Sequence, residues 1–125
     1  MLAEPAVLIG IGGILGANAR YLVSVWAARR IGASFPYGTM IVNLSGSLLL
    51  GFMATAIVGR VVSEPEVRLL VSVGFLGAYT TFSTFAFESV SLIRRRAYAL
   101  ATVNVLASTV LGLLGAWIGA MVARS

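Results

Sequence analysis

The sequence predicts an all-α integral membrane protein of four transmembrane helices, with a break in the third. Of its 125 residues, 59% are hydrophobic and only 10% are charged, with a mean hydropathy of +0.99, a composition suited to lipid rather than to a soluble domain. Charge-free runs cover 31–59, 69–87 and 97–123, and a run over 5–28 is interrupted only by Arg20. Each is close to or above the ~20 residues that a spanning helix needs. The third observation is the stretch 77–85, GAYTTFSTF. It sets a glycine, four aliphatic hydroxyls and two phenyl rings inside a segment otherwise fit for hydrocarbon, where polar groups persist only if they pair with protein or line a cavity.

Taken in order, the spans fall at roughly 5–28, 37–60, 67–93 and 98–122, forming one membrane domain over 1–125. The first lacks the basic leader of a cleaved signal, so it is expected to persist as a helix. Pro36 opens the second span, and Pro65 marks a turn before the third. The joints are short: 29–36, then 60–68 with Glu64-Pro65-Glu66, then Arg94-Arg95-Arg96. Short joints make consecutive spans neighbours in an up-down bundle. Glycines organise the packing. Gly12 and Gly16, Gly115 and Gly119, and Ser47 and Gly51 each stand four residues apart, a spacing that lets helix backbones touch in lipid. The run 10–16 misplaces the third glycine of a dinucleotide loop, and no acidic residue follows at the right distance.

Four spans leave no room for a soluble catalytic domain, and the chain has no cysteine or histidine. Thiolate or imidazole metal sites, cysteine nucleophiles and histidine bases are thereby excluded. The net charge of +5 comes from nine arginines against four glutamates. Most arginines flank spans, where lipid headgroups account for them without any nucleic acid. Arg29, Arg30, Arg94, Arg95 and Arg96 fall on one face, Arg60, Arg68 and Arg124 on the other. A bias of two is small enough for the chain to insert both ways round.

Candidate residues follow from polar groups at bilayer depth. Thr39, Asn43 and Ser47 recur every four residues down one face of the second span. For Thr39 and Ser47, interhelical hydrogen bonding at about 0.6 kcal/mol per contact and pore lining stand as equal readings; the costlier amide of Asn43 points to function. Asn104 and Ser108 repeat this spacing on the fourth span, continuing to Gly112. Phe82 and Phe85 lie three apart on one helix side, able to offer electropositive ring edges to an anion or simply to pack. Gly77 followed by 79–81 reads as a helix break that frees carbonyls for a cation and amides for an anion. Glu88 lies near the end of the third span and Arg20 inside the first. A charge at a span centre costs about 2.5–3.5 kcal/mol, so an interfacial position is the cheaper one for both.

Three segments, 16–21 (GANARY), 38–44 (GTMIVNL) and 74–85 (GFLGAYTTFSTF), in this order and at this length, closely resemble the small bacterial fluoride channels of the Fluc (CrcB) family. The resemblance covers all four spans. It implies an antiparallel, dual-topology homodimer in the bacterial inner membrane, with two fluoride pores and a structural sodium ion at the subunit interface. By the family pattern Phe82, Phe85 and Asn43 contact fluoride, and backbone carbonyls of Gly77 and Thr80 hold the sodium. Ser83, Thr84 and Glu88 belong to a further polar track, and Arg20 to a vestibule. The fourth helix departs from the pattern, with Asn104 and Gly112 in register with Ser108 where the family carries hydroxyls. The implied function is passive fluoride export giving fluoride resistance, with no enzymatic turnover. Two rivals share the size: a proton-coupled small multidrug-type transporter, which needs a carboxylate deep in a span, and a non-transporting membrane assembly subunit.

Overall fold

The computed structural model describes residues 3–58 and 65–125. Arg60 and Glu64 of the second joint lie outside them. Helix α1 spans Ala3–Arg30 and α2 spans Tyr37–Val58. The third crossing comes in two pieces: α3 (65–79), assembled from Pro65–Val67, a wide π-helical stretch Arg68–Leu76 and a final turn Gly77–Tyr79, then α4 (Phe82–Arg94). Helix α5 runs Tyr98–Arg124. Each of the four crossings is long and apolar enough to span a membrane, and the third, Pro65–Arg94, uses 30 residues. At five ends, 3, 30, 65, 94 and 124, the helices run one or two residues past the expected spans, because flanking arginines and small residues continue the helical ladder without disrupting it.

Sequence neighbours are not the closest partners. The most extensive pairings join α1 to the π-helical stretch and α2 to α5. Small residues make this choice, since van der Waals contact drives helix association in lipid. A Cβ on Gly12 would run into the Leu70 carbonyl and one on Gly16 into the Phe75 carbonyl, so α1 lies directly on the α3 backbone. Across the molecule, Gly51 faces the Ala116 carbonyl and Gly119 the Leu48 carbonyl. The four-residue spacings of the sequence therefore mark α1 against α3 and α2 against α5.

The described core is small. Val42, Leu76 and Tyr79 are buried at its centre, with Ala19, Val23, Met53, Val71 and Phe75 packed around them. Phe75 and Tyr79 stack with centroids 5.7 Å apart, and the Tyr79 hydroxyl meets Ser45 Oγ at 3.1 Å. Only Ala101, Asn104 and Gly119 of α5 are buried; its Leu, Ile, Val and Trp side chains point outward, as lipid or a second protein surface requires. Helix α4 ends in a reverse turn: the Arg96 N–H donates to the Ile93 carbonyl and the Ala97 N–H to the Leu92 carbonyl, both at 2.9 Å. Arg96 there takes the left-handed conformation, φ +60°, that this cap demands.

Gly119→Leu should push α5 off α2 at a cost of about 1–3 kcal/mol, lowering the melting temperature in detergent. Gly10→Ala, with open space around its Cβ, should melt no earlier than the parent.

Candidate functional site

The third crossing breaks at Thr80 and Thr81, both in extended backbone (φ −90°, ψ 155° and φ −154°, ψ 117°). Gly77, the residue singled out in the sequence as the breaker, is helical instead (φ −62°, ψ −39°). Glycine is permissive of a break but does not compel one. The work is done by side chains that take over the backbone partners of the helix.

Asn43 holds both sides of the Thr81 peptide from α2. Its Oδ1 accepts the Thr81 N–H at 2.8 Å and its Nδ2 donates to the Thr81 carbonyl at 3.0 Å. From α1, Arg20 Nε donates to the Ala78 carbonyl at 3.1 Å. Thr81 then starts α4: its hydroxyl accepts the Thr84 N–H at 3.3 Å and donates to Thr84 Oγ1 at 3.0 Å, a hydroxyl N-cap. Thr80 Oγ1 folds back to the Leu76 carbonyl at 2.9 Å. Gly46 makes room for this, because a Cβ there would strike the Thr80 methyl.

These bonds have a consequence for the carbonyls of the break. In a continuous α-helix the Gly77 carbonyl accepts from the Thr81 N–H and the Thr80 carbonyl from the Thr84 N–H. Here Asn43 takes the first donor and the Thr81 hydroxyl takes the second. Both oxygens are thereby released from the helical ladder.

A cleft of about 290 Å³ opens beside the break, lined by Asn43, Ser47, Thr80, Thr81, Phe82, Phe85, Ser108 and Thr109. It gathers polar groups from α2, the break and α5 with two phenyl rings. The rings of Phe82 and Phe85 stand 5.9 Å apart and tilted by 52°; Phe82 is 78% exposed in the single chain, and Phe85 is half-buried. Asn43 spends one of its two amide hydrogens on Thr81, so the second remains for the cleft.

The other sequence candidates divide. Ser108 reaches the cleft, and its hydroxyl lies 3.4 Å from Asn104 Oδ1 rather than bonding a carbonyl of its own helix. Asn104 is 1% exposed. Its Nδ2 donates to Ser89 Oγ at 2.9 Å, and Ser89 donates to the Phe85 carbonyl at 2.8 Å, so it ties α5 to α4 behind the cleft and does not line it. Thr39 and Glu88 come together in a separate cavity of about 140 Å³ with Ser24, Phe35 and Tyr37; Glu88 Oε1 is buried there without a hydrogen-bond partner. Thr84 is occupied by the cap, and Ser83 faces outward. Arg20 is a bracket on the break as well as a charge inside a span. Sequence reasoning put Thr81 in the break but not as the cap of α4, and it missed Ser89. The Thr81–Thr84 spacing is a readable cap signal; the Asn43–Thr81 pairing, 38 residues apart, carries no local signal.

Fold and cleft together define a small multi-pass membrane protein whose polar groups converge where one span is broken, a construction that serves ion handling in lipid. A family model described as CrcB-like protein, Camphor Resistance (CrcB), matches residues 7–120, and the chain belongs to that family. It is 45% identical over 118 residues to the fluoride-specific ion channel FluC of Roseiflexus sp. (strain RS-1), a match covering 94% of this chain and 95% of the relative. It is 49% identical over 114 residues to fluoride-specific ion channel FluC 1 of Symbiobacterium thermophilum, covering 90% and 92%. Identity to the fluoride-specific ion channel FluC of Trichormus variabilis is 42% over 129 residues, covering 99% and 94%.

Asn43→Ala leaves the Thr81 N–H and carbonyl without partners, each costing about 1–3 kcal/mol. The variant should melt earlier, and Thr81 amide hydrogen exchange should accelerate at least tenfold. An unchanged Thr81 exchange rate would show that the break holds without the Asn43 clamp.

Proposed function

We propose that the protein is a fluoride-selective channel that lets cytoplasmic fluoride leave passively across the bacterial inner membrane, conferring fluoride resistance. The observation that carries this reading is the convergence of Asn43, Ser108, Phe82 and Phe85 on one cleft beside a broken span, in a chain whose relatives bear the name fluoride-specific ion channel. Fluoride is small and strongly hydrated, so a pathway through lipid has to replace its water with close donors. The spare amide hydrogen of Asn43, the cleft hydroxyls and the positive ring edges of the two phenylalanines are such donors. Being dipoles rather than cations, they bind an anion without trapping it.

The same reading takes the working unit to be a homodimer inserted antiparallel, with a sodium ion between subunits held by the Gly77 and Thr80 carbonyls. Support comes from the two oxygens released from the helical ladder, from the exposure of Gly77 and of most of α5 in the single chain, and from the small arginine bias. Backbone oxygens are fit ligands for a hard cation. A cation there would supply fixed positive charge beside the pathway and lower the cost of an anion nearby. Glu88, Thr39, Ser83 and Thr84 form a further polar track in this reading, with Arg20 between the break and the vestibule.

Purified protein in liposomes should release fluoride rapidly and chloride hardly at all, followed with ion-selective electrodes; equal release of both, or none, would reject the channel. Phe82→Ile and Phe85→Ile should each lower fluoride flux at least tenfold while assembly is unchanged, and full flux in both would return the rings to packing. A cysteine-bearing tag at the C-terminus should be labelled from both membrane faces; labelling from one face alone would contradict antiparallel insertion.

A further inference from the structure

The two ends of the bundle are unlike in charge. Among the described residues, the joints at one end carry Arg29, Arg30, Arg94, Arg95 and Arg96 and no carboxylate, whereas Arg68 and Arg124 at the other end are matched by Glu4 and Glu66. An end whose joints carry five guanidiniums, with the Glu88 carboxylate held in the cavity lined by Phe35, Pro36 and Tyr37, is a surface for anionic lipid headgroups. One part of that surface adjoins a place for a lipid tail.

Between α4 and α5 lies a groove of about 400 Å³, lined by Ile93, Tyr98, Ala101, Thr102, Val105 and Leu106. Its walls are hydrocarbon. The Thr102 hydroxyl is spent on the Tyr98 carbonyl of its own helix at 2.9 Å, leaving the Tyr98 phenol as the polar group, and that residue is 59% exposed at the depth where amphipathic rings settle. The turn 94–97 joins two of the lining residues, Ile93 and Tyr98, and carries Arg95 and Arg96, both exposed. The helix cap fixes Arg96 in its left-handed conformation, and Arg95 uses a single donor on the Ser34 carbonyl, at 3.4 Å. Most of their ten N–H donors stay free for a phosphate.

We propose that this groove is a binding site for an anionic diacyl phospholipid, with one acyl chain between α4 and α5 and the phosphate on Arg95 and Arg96. The occupant follows from charge: an apolar trough alone takes any chain, but one adjoined by two exposed guanidiniums with most of their donors free selects a phosphate whose headgroup carries no compensating cation. The site is independent of the fluoride pathway, since none of its residues lines the cleft.

Native mass spectrometry of the full-length protein, released from detergent with equal amounts of phosphatidylglycerol and phosphatidylcholine of identical chains, tests this. Phosphatidylglycerol adducts should exceed phosphatidylcholine adducts at least tenfold. The double variant Arg95→Gln/Arg96→Gln should abolish the preference, Arg29→Gln/Arg30→Gln should keep it, and Val105→Trp should remove adducts of both lipids by filling the groove. Excess inorganic phosphate should not displace the lipid. The proposal is overturned by equal retention of the two lipids, by a preference that survives Arg95→Gln/Arg96→Gln or is lost equally in Arg29→Gln/Arg30→Gln, or by displacement with inorganic phosphate. It is also overturned if Val105→Cys forms a disulfide between two copies in the bilayer, which would place a second chain in the groove.

Discussion

The structure depends on how one peptide unit is satisfied away from water. Breaking a helix in hydrocarbon strands several backbone groups, each worth kilocalories if left bare. Here a single side chain, Asn43, replaces both lost partners of Thr81, while the Thr81 hydroxyl restarts the next helix and Arg20 reaches in from α1 to the Ala78 carbonyl. Two other helices, α1 and α2, thus converge on the break. Gly46 serves the same end by giving Thr80 space against α2. With the break so braced, the Gly77 and Thr80 carbonyls and one Asn43 hydrogen are left over, and these are the groups with which an ion can be handled.

The cleft's chemistry follows from that economy. Its polar groups are amide, hydroxyl and ring edge, with no charged side chain among the lining residues. A full positive charge would hold a small anion too firmly for conduction, whereas neutral dipoles in a low-dielectric setting bind it and let it go. The nearby Asn104–Ser89–Phe85 relay fixes the backbone behind one of the two rings, so α5 contributes rigidity from Asn104 and lining from Ser108. The carboxylate of Glu88 stands apart in its own cavity with Thr39, away from the mouth of the cleft.

Much of this was legible in the residues. Four spans follow from hydropathy and length, and the existence of a break follows from the cost of four hydroxyls and a glycine at bilayer depth. The four-residue spacing of Gly12 and Gly16, and of Gly115 and Gly119, correctly marks backbone contact. Which helices those glycines join is another matter: short joints point to sequence neighbours, yet α1 lies on α3 and α2 on α5, because partner choice depends on surfaces distant in sequence. Within the expected break at Gly77 and 79–81, only Thr80 and Thr81 leave the helix, for a related reason, since the break is held by an amide 38 residues away. Asn104 reads as pore lining from its register with Ser108, and only the packing of α4 against α5 turns it into a buried tie. The resemblance to the Fluc (CrcB) channels supplied what spacing does not, namely the identity of the ion.

The central claim is that these neutral dipoles select fluoride over larger anions. Its most direct test is the reversal potential of the purified protein in a planar bilayer, with a fluoride gradient across it and chloride equal on both sides. The account predicts reversal at the fluoride equilibrium potential, unmoved when a chloride gradient is then imposed. A reversal potential that follows chloride would contradict it.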